Sequence, residues 1–164
     1  MVIEIQPITQ TLYDQDYYLW LRTTINQLRT SQFSSVDLNN LIEELEDMGR
    51  SQKRTVKSLL IRLFEHLLKL IYWNVERERN EGHWKGEIRT LRRDIKDELK
   101  DSPSLKPYIL EIFDKCYQDT RTEASDRSQL AIDIFPFIPI GSLEQILDEN
   151  WFPEYNHNHH GKPD

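Results

Sequence analysis

The chain of 164 residues is poor in cysteine and has no long uninterrupted apolar run. Its single cysteine, Cys116, excludes an internal disulfide network and any zinc site built from several cysteines, and it fits a reducing compartment. The most apolar stretch, at residues 59–73, is interrupted by four charged or histidine side chains, whereas a membrane-spanning helix needs about 20 apolar residues. We therefore expect a cytoplasmic protein that has no membrane partner.

The sequence also lacks the short motifs of common catalytic sites. It contains no His-Glu-x-x-His, no phosphate-binding loop and no nucleophile elbow. A di-metal helical bundle would need Glu-x-x-His pairs on two helices, and only Glu154 and His157 have this spacing. No N-terminal stretch combines a basic region with an apolar run, as a signal peptide does. We expect no cofactor.

Apolar residues recur instead at steps of three and four, which predicts helices along the whole chain. The first helix is expected from about Tyr13 to the segment RTSQFSS. Asp37 is a candidate N-cap for the second helix, which is expected to reach about Trp73. We expect this helix to break or bend near Gly49, because a glycine in a helix interior costs about 1 kcal/mol relative to alanine. The polar stretch NVERERNEGH, residues 74–83, is expected to be a connection.

The second half of the chain continues the helical pattern and then changes character. Helices are expected over residues 84–99 and 109–120, separated by DSPSLKP at 101–107, because proline cannot continue an interior hydrogen-bond ladder. The segment IDIFPFIPIG at 132–141 is expected to be extended. Ser142 and Gln145 fit a capping box that begins a short last helix.

These patterns predict an all-α fold. We expect a single-domain helical bundle of about four to six helices over residues 1–164, with a C-terminal extended segment and a short docking helix. Residues 151–153, Trp-Phe-Pro, are expected to plug into the bundle. The compact part is expected at about residues 11–154, followed by a flexible tail at 155–164.

The charges are distributed unevenly along the chain. Residues 1–48 carry two basic and eight acidic side chains, residues 49–100 carry fourteen and eight, and residues 101–164 carry five and twelve. The acidic flanks can neutralise the basic middle within the fold, but a basic middle can also bind an acidic protein or a nucleic acid. The basic 50–100 segment would bind nucleic acid through Arg50, Lys53, Arg54, Lys57, Arg89, Arg92, Arg93 and Lys96.

The stretch LNNLIEELEDMGRSQKR, residues 38–54, concentrates acidic side chains. Its apolar residues are expected to face the core, which leaves Glu43, Glu46, Asp47 and Arg50 on a solvated, ion-paired face. Glu44 lies nearer the apolar border and could be partly buried with a basic partner. The same carboxylates could alternatively carry chemistry.

A histidine on the polar side of the following apolar segment is the other candidate for chemistry. His66 could titrate, bind a metal or simply make a structural hydrogen bond. The candidate catalytic residues are therefore Glu43, Glu44, Glu46 and His66. Three histidines of the tail are candidate metal ligands, because neutral imidazole suits transition metals: His157, His159 and His160.

The order of several motifs resembles the all-helical bacterial family known as domain of unknown function twenty-nine, which is abundant in cyanobacteria. The motifs that carry the resemblance are YDQDYYLW, DLNNLIEELEDMGRSQKR, EHLLK, IRTLRRDI, DSPSL and LEQILDENWFPE. The resemblance implies a helical bundle in a prokaryotic cytoplasm, and it brings no established reaction, cofactor or catalytic residue. Among the motif positions, Glu44, His66 and Arg92 could form a polar cluster.

Function is expected to lie in interaction rather than in catalysis. Our main interpretation is a small interaction or regulatory protein without enzymatic activity, whose partner is a second copy or another protein. One alternative is a metal- or acid/base-dependent hydrolase acting on a nucleotide or nucleic acid. The other is a nucleic-acid-binding protein that uses the basic segment.

Overall fold

The computed structural model describes residues 11–155, and within this range the chain is helical and has no strand. The described residues form six α-helices: α1 (Leu12–Gln15), α2 (Tyr17–Arg29), α3 (Leu38–Tyr72), α4 (Asn74–Asp101), α5 (Lys106–Ser128) and α6 (Leu143–Leu147). Short 3-10 turns occupy Phe33–Ser35, Pro103–Leu105 and Ile132–Ile134. The predicted all-α class is confirmed. None of these helices is both long and apolar enough to cross a bilayer.

Two helix starts follow capping chemistry that was predicted from the sequence, and a third start has a cap that was not predicted. The Asp37 carboxylate accepts a hydrogen bond from the backbone N–H of Asn40 at 3.3 Å, as an N-cap does. Ser142 and Gln145 form the predicted capping box at the start of α6, with reciprocal bonds of 3.2 and 2.9 Å. Asp16 caps α2 by accepting from the N–H of Leu19 at 2.9 Å.

The predicted break near Gly49 is wrong, because α3 is one helix from Leu38 to Tyr72. Arg50 donates to Asp47 at 2.9 Å and to Glu46 at 3.4 Å, so these ion pairs span the glycine on the helix surface. The residues on both sides are mostly strong helix formers. Their combined preference outweighs the cost of one glycine.

The predicted connection at residues 74–83 is also wrong, because α4 begins at Asn74 and Trp73 alone separates it from α3. The Arg77 guanidinium donates to the carbonyl of Ile71 at 2.5 Å and also to the side chain of Asn74. Ile71 lies in the last turn of α3, where backbone carbonyls have no helical partner. Arg77 therefore satisfies the end of one helix from the first turn of the next.

The chain divides into two compact units, residues 1–50 and residues 51–164. Within the described part of the first unit, the buried side chains are Trp20, Thr24 and Val36. The second unit holds a continuous hydrophobic core, contributed by α3 from Val56 onward, α4, α5, α6 and the segments between them. Phe64 lies at its centre, and its ring is 5.1 Å from the ring of Phe113 and 5.3 Å from that of Tyr117.

Two buried arginines attach the C-terminal part of the chain to this core. Arg92 of α4 is fully buried and donates to the carbonyls of Ile146 at 2.6 Å and Trp151 at 2.7 Å. Arg121 of α5 donates to the carbonyls of Phe135 at 2.9 Å and Ile132 at 3.1 Å. These side chains supply hydrogen-bond donors to segments that have no regular ladder of their own.

We expect Arg92→Met to destabilise the fold by about 2 to 4 kcal/mol, because each buried carbonyl left without a donor costs about 1–3 kcal/mol. The matched control is Arg93→Met, which changes the neighbouring but exposed arginine and is expected to stay within about 0.5 kcal/mol of the wild type. Urea unfolding followed by circular dichroism measures both. Equal unfolding curves for the two variants would contradict the structural role of Arg92.

Candidate functional site

The acidic residues of α3 lie mostly on a solvated face, as predicted. Glu43 is exposed, and Glu46 and Asp47 share Arg50 in ion pairs whose side chains are all half exposed or more. Ion pairs at such a surface contribute little free energy. These three carboxylates therefore lie at the protein surface.

Glu44 differs from its neighbours, because two tyrosines donate to its carboxylate. The hydroxyl of Tyr13 lies 2.6 Å from one oxygen, and the hydroxyl of Tyr17 lies 2.8 Å from the other. Both rings pack on Trp20, at centroid distances of 4.9 and 5.7 Å. The hydrogen bond to Glu44, with smaller contributions from burial and from the charges of Glu44 and Glu43, raises the pKa of Tyr13 to about 12. These hydrogen bonds attach α1 and α2 to the first part of α3 within the first unit.

The side chain of His66 is half buried and makes a local bond, with Nδ1 2.8 Å from the carbonyl oxygen of Arg62. Beside it, partial burial acts to raise the pKa of Glu65. The hydrogen bond and charge of Lys69 and the charge of Arg127 outweigh burial, so the pKa lies below its ordinary value. His66 therefore borders an ion-paired surface rather than a cleft of acids.

The three residues suggested as a polar cluster have separate hydrogen-bond partners. Glu44 binds two tyrosines, His66 binds the backbone of its own helix, and Arg92 binds the carbonyls of the C-terminal segment. Burial lowers the pKa of Arg92 to about 10, so this side chain stays charged at neutral pH. Residues 11–155 contain no group of three or more side chains able to hold a metal ion. His157, His159 and His160 lie outside the described residues.

Most of the basic side chains considered for nucleic-acid binding have protein contacts. Lys96 pairs with Glu149 at 3.2 Å, and Lys53 lies 4.9 Å from the centre of the Tyr108 ring. Arg89 lies 5.6 Å from the centre of the Phe152 ring. With Arg50 paired to acids and Arg92 buried, five of the eight candidates are occupied within the protein.

Several large apolar residues of the first unit are exposed, and four of them form a stripe on α3. It consists of Leu38, Ile42, Leu45 and Met48, which are 56, 52, 58 and 67% exposed. Steps of three and four residues keep a helix position on one face. The same spacing continues along α3 to residues that are 0% exposed in the core of the second unit: Val56, Leu60, Leu63, Leu67 and Leu70. We call the first four residues the exposed stripe.

The expectation that this face is buried in the core is wrong for Ile42, Leu45 and Met48. Periodicity correctly identified the face, but it could not show that only its second half is covered. The sequence analysis also missed the buried Arg77 and Arg121. The buried position of Arg121 could have been predicted, because it lies four residues after Tyr117 on the buried face of α5, but its carbonyl partners could not.

We expect Glu44→Gln to bring the pKa of Tyr13 from about 12 back toward its ordinary value of 10.0. The pKa of Tyr13 is higher in the folded protein than in the unfolded chain. The contact with Glu44 therefore stabilises the folded state fully below pH 10, and this stabilisation is lost as the pH rises toward 12. Nuclear magnetic resonance of labelled tyrosine rings measures the pKa, with Glu46→Gln as the control, since the charge of Glu46 does not contribute to the raised pKa. A wild-type Tyr13 that titrates near 10 would contradict the contact.

Comparison with known proteins places the chain in a family but not in a biochemical class. No curated protein and no solved structure matches it significantly. A family model with the description Domain of unknown function DUF29 matches residues 12–152. Since this range covers most of the 164 residues, the chain belongs to the family DUF29.

Proposed function

We propose that the protein is a self-associating interaction module, in which the exposed stripe of one copy packs on the exposed stripe of a second copy. The observation that supports this most directly is the change of environment along α3. One apolar face is fully buried after residue 56 and more than half exposed before residue 48. A second copy would give the first half of the helix the burial that the second half already has.

The small buried content of the first unit supports the same proposal. Among residues 11–50, the buried side chains are Trp20, Thr24 and Val36, whereas the exposed stripe has no apolar cover among the described residues. A second copy would remove this apolar surface from water, which favours association.

The arrangement of charges around the exposed stripe is compatible with pairing between identical copies. Glu43 and Asp47 lie two positions to either side of Leu45, which places them about 200° around the helix, on the opposite face. A two-fold pairing of stripes therefore does not bring these carboxylates together. The two acids that flank the stripe are already engaged, Glu44 by two tyrosines and Glu46 by Arg50. A side-chain carbon added at Gly49, one turn beyond Leu45, would meet nothing within 4 Å, so a partner helix can approach there.

The module is proposed to act in the cytoplasm and to have no enzymatic activity of its own. A single buried thiol suits a reducing compartment. The candidate acids Glu43, Glu44 and Glu46 bind arginine or tyrosine or face solvent, which supports a structural role over proton transfer.

We expect the protein to elute with twice its chain mass of 19.7 kDa, and the double variant Leu45→Glu, Met48→Glu to elute as a monomer. The introduced carboxylates would have to be buried in the dimer interface. Val75→Glu is the matched control, since Val75 is a 95% exposed apolar residue of α4 outside the stripe, and it should leave the dimer intact. Size-exclusion chromatography with light scattering measures the mass, and circular dichroism checks that the variants stay helical.

The proposal is contradicted if the wild type is monomeric throughout a concentration series. It is also contradicted if Val75→Glu dissociates the dimer as strongly as the double variant does. In that case the apolar surface that mediates association lies elsewhere on the chain.

A further inference from the structure

The second unit contains an open cleft that has no role in the proposed self-association. Its volume is about 570 Å³, within the range of about 300–1,000 Å³ typical of small-molecule sites. Its walls come from the end of α3, the segment after α5 and the C-terminal segment. The side chains that matter here are Tyr72, Pro136, Ile140, Trp151, Phe152 and Glu154. The walls are therefore mostly aromatic and aliphatic.

Packing holds these walls in place. The ring of Tyr72 packs edge-on against the buried Phe135 at 4.9 Å. Trp151 is fixed through its carbonyl by Arg92, and its ring lies so close to Gly141 that an added side-chain carbon would be 3.1 Å away. The cleft is thus largely preformed, which lowers the entropy cost of binding a ligand.

Two polar groups in this apolar cleft have no partner among residues 11–155. The hydroxyl of the half-buried Tyr72 makes no hydrogen bond, and the carboxylate of the exposed Glu154 makes neither a hydrogen bond nor an ion pair. Burial raises the pKa of Tyr72, so its hydroxyl stays neutral at physiological pH. The cleft therefore offers one negative charge and one neutral hydroxyl beside aromatic surface.

Positive charges of the protein are concentrated at Phe152. The guanidinium of Arg92 lies 4.9 Å from the centre of that ring, and Arg89 and the Lys85 ammonium each lie 5.6 Å from it. Lys85 is neutralised by Glu81 at 2.6 Å. A ligand cation would consequently avoid Phe152 and lie nearer to Glu154, while the apolar part of the ligand covers the aromatic walls.

We propose that this cleft binds a small organic amine with an apolar body, whose ammonium group pairs with Glu154 and donates to the Tyr72 hydroxyl oxygen. The apolar body packs on Trp151, Ile140 and Pro136. A carboxylate ligand of the same size is disfavoured, because Glu154 would repel it. The nearby positive charges of Arg92 and Lys85 are already offset, the first by Asp148 and Glu149 and the second by Glu81. This inference does not depend on the proposed self-association, since every residue of the cleft lies in the second unit.

Titration with phenethylamine and with 3-phenylpropionate, two probes of similar shape and opposite charge, tests the charge preference. We expect phenethylamine to shift the indole N–H resonance of Trp151 saturably and 3-phenylpropionate to leave it unchanged. Equal binding of both probes, or binding of neither, would overturn the proposal.

Substitutions identify the groups that hold the amine. Glu154→Gln is expected to weaken phenethylamine binding about two- to fivefold, as for an exposed ion pair, and Tyr72→Phe about two- to tenfold, as for one hydrogen bond. The control is Glu111→Gln, an exposed carboxylate of α5 that does not line the cleft. An unchanged dissociation constant in both cleft variants, or the same loss in the control, would show that the amine binds elsewhere.

Discussion

The second unit depends on charged guanidinium groups that are buried against backbone carbonyls. Arg92 binds the carbonyls of Ile146 and Trp151, which are more than 50 positions away in sequence, and Arg121 binds those of Phe135 and Ile132. The chain after α5 is mostly irregular, so its carbonyls have few helical donors. The arginines supply those donors from helices that are fixed by apolar packing. The position of α6, and the walls of the cleft, follow from these bonds.

Helix α3 links this core to the proposed function. Its apolar face is uniform in sequence but meets two environments, a complete core after residue 56 and solvent before residue 48. Apolar side chains exposed in a continuous row are a feature of interaction surfaces. The Tyr13–Glu44–Tyr17 contacts hold α1 and α2 against the flank of this part of α3, at the border of the stripe, and leave the stripe itself exposed. The first unit thus presents the stripe rather than burying it.

Much of the fold could be predicted from the sequence, because helix periodicity and capping are local properties. Asp37 and Ser142 mark helix starts correctly, and the proline-rich segment after Asp101 ends α4. Gly49 and residues 74–83 were misjudged because ion pairs and strong helix formers around them outweigh one glycine and a polar composition.

The candidate site was less accessible to sequence reasoning, because it depends on which surfaces are covered. The roles of Arg77 and Arg121 depend on carbonyls brought near them by tertiary structure, which no local pattern shows. Periodicity likewise identifies the apolar face of α3 and cannot tell a covered half from an exposed one. Glu44 was recognised as a border residue, but its tyrosine partners lie about 30 positions away in sequence.

The central claim is that the exposed stripe is covered by a second copy, and hydrogen–deuterium exchange at low and high protein concentration tests it most directly. The account predicts that amides of residues 38–48 become more protected at high concentration, while those of residues 84–99 in α4 exchange at the same rate in both samples. Exchange of residues 38–48 that is independent of concentration, in a protein that stays monomeric, would contradict it.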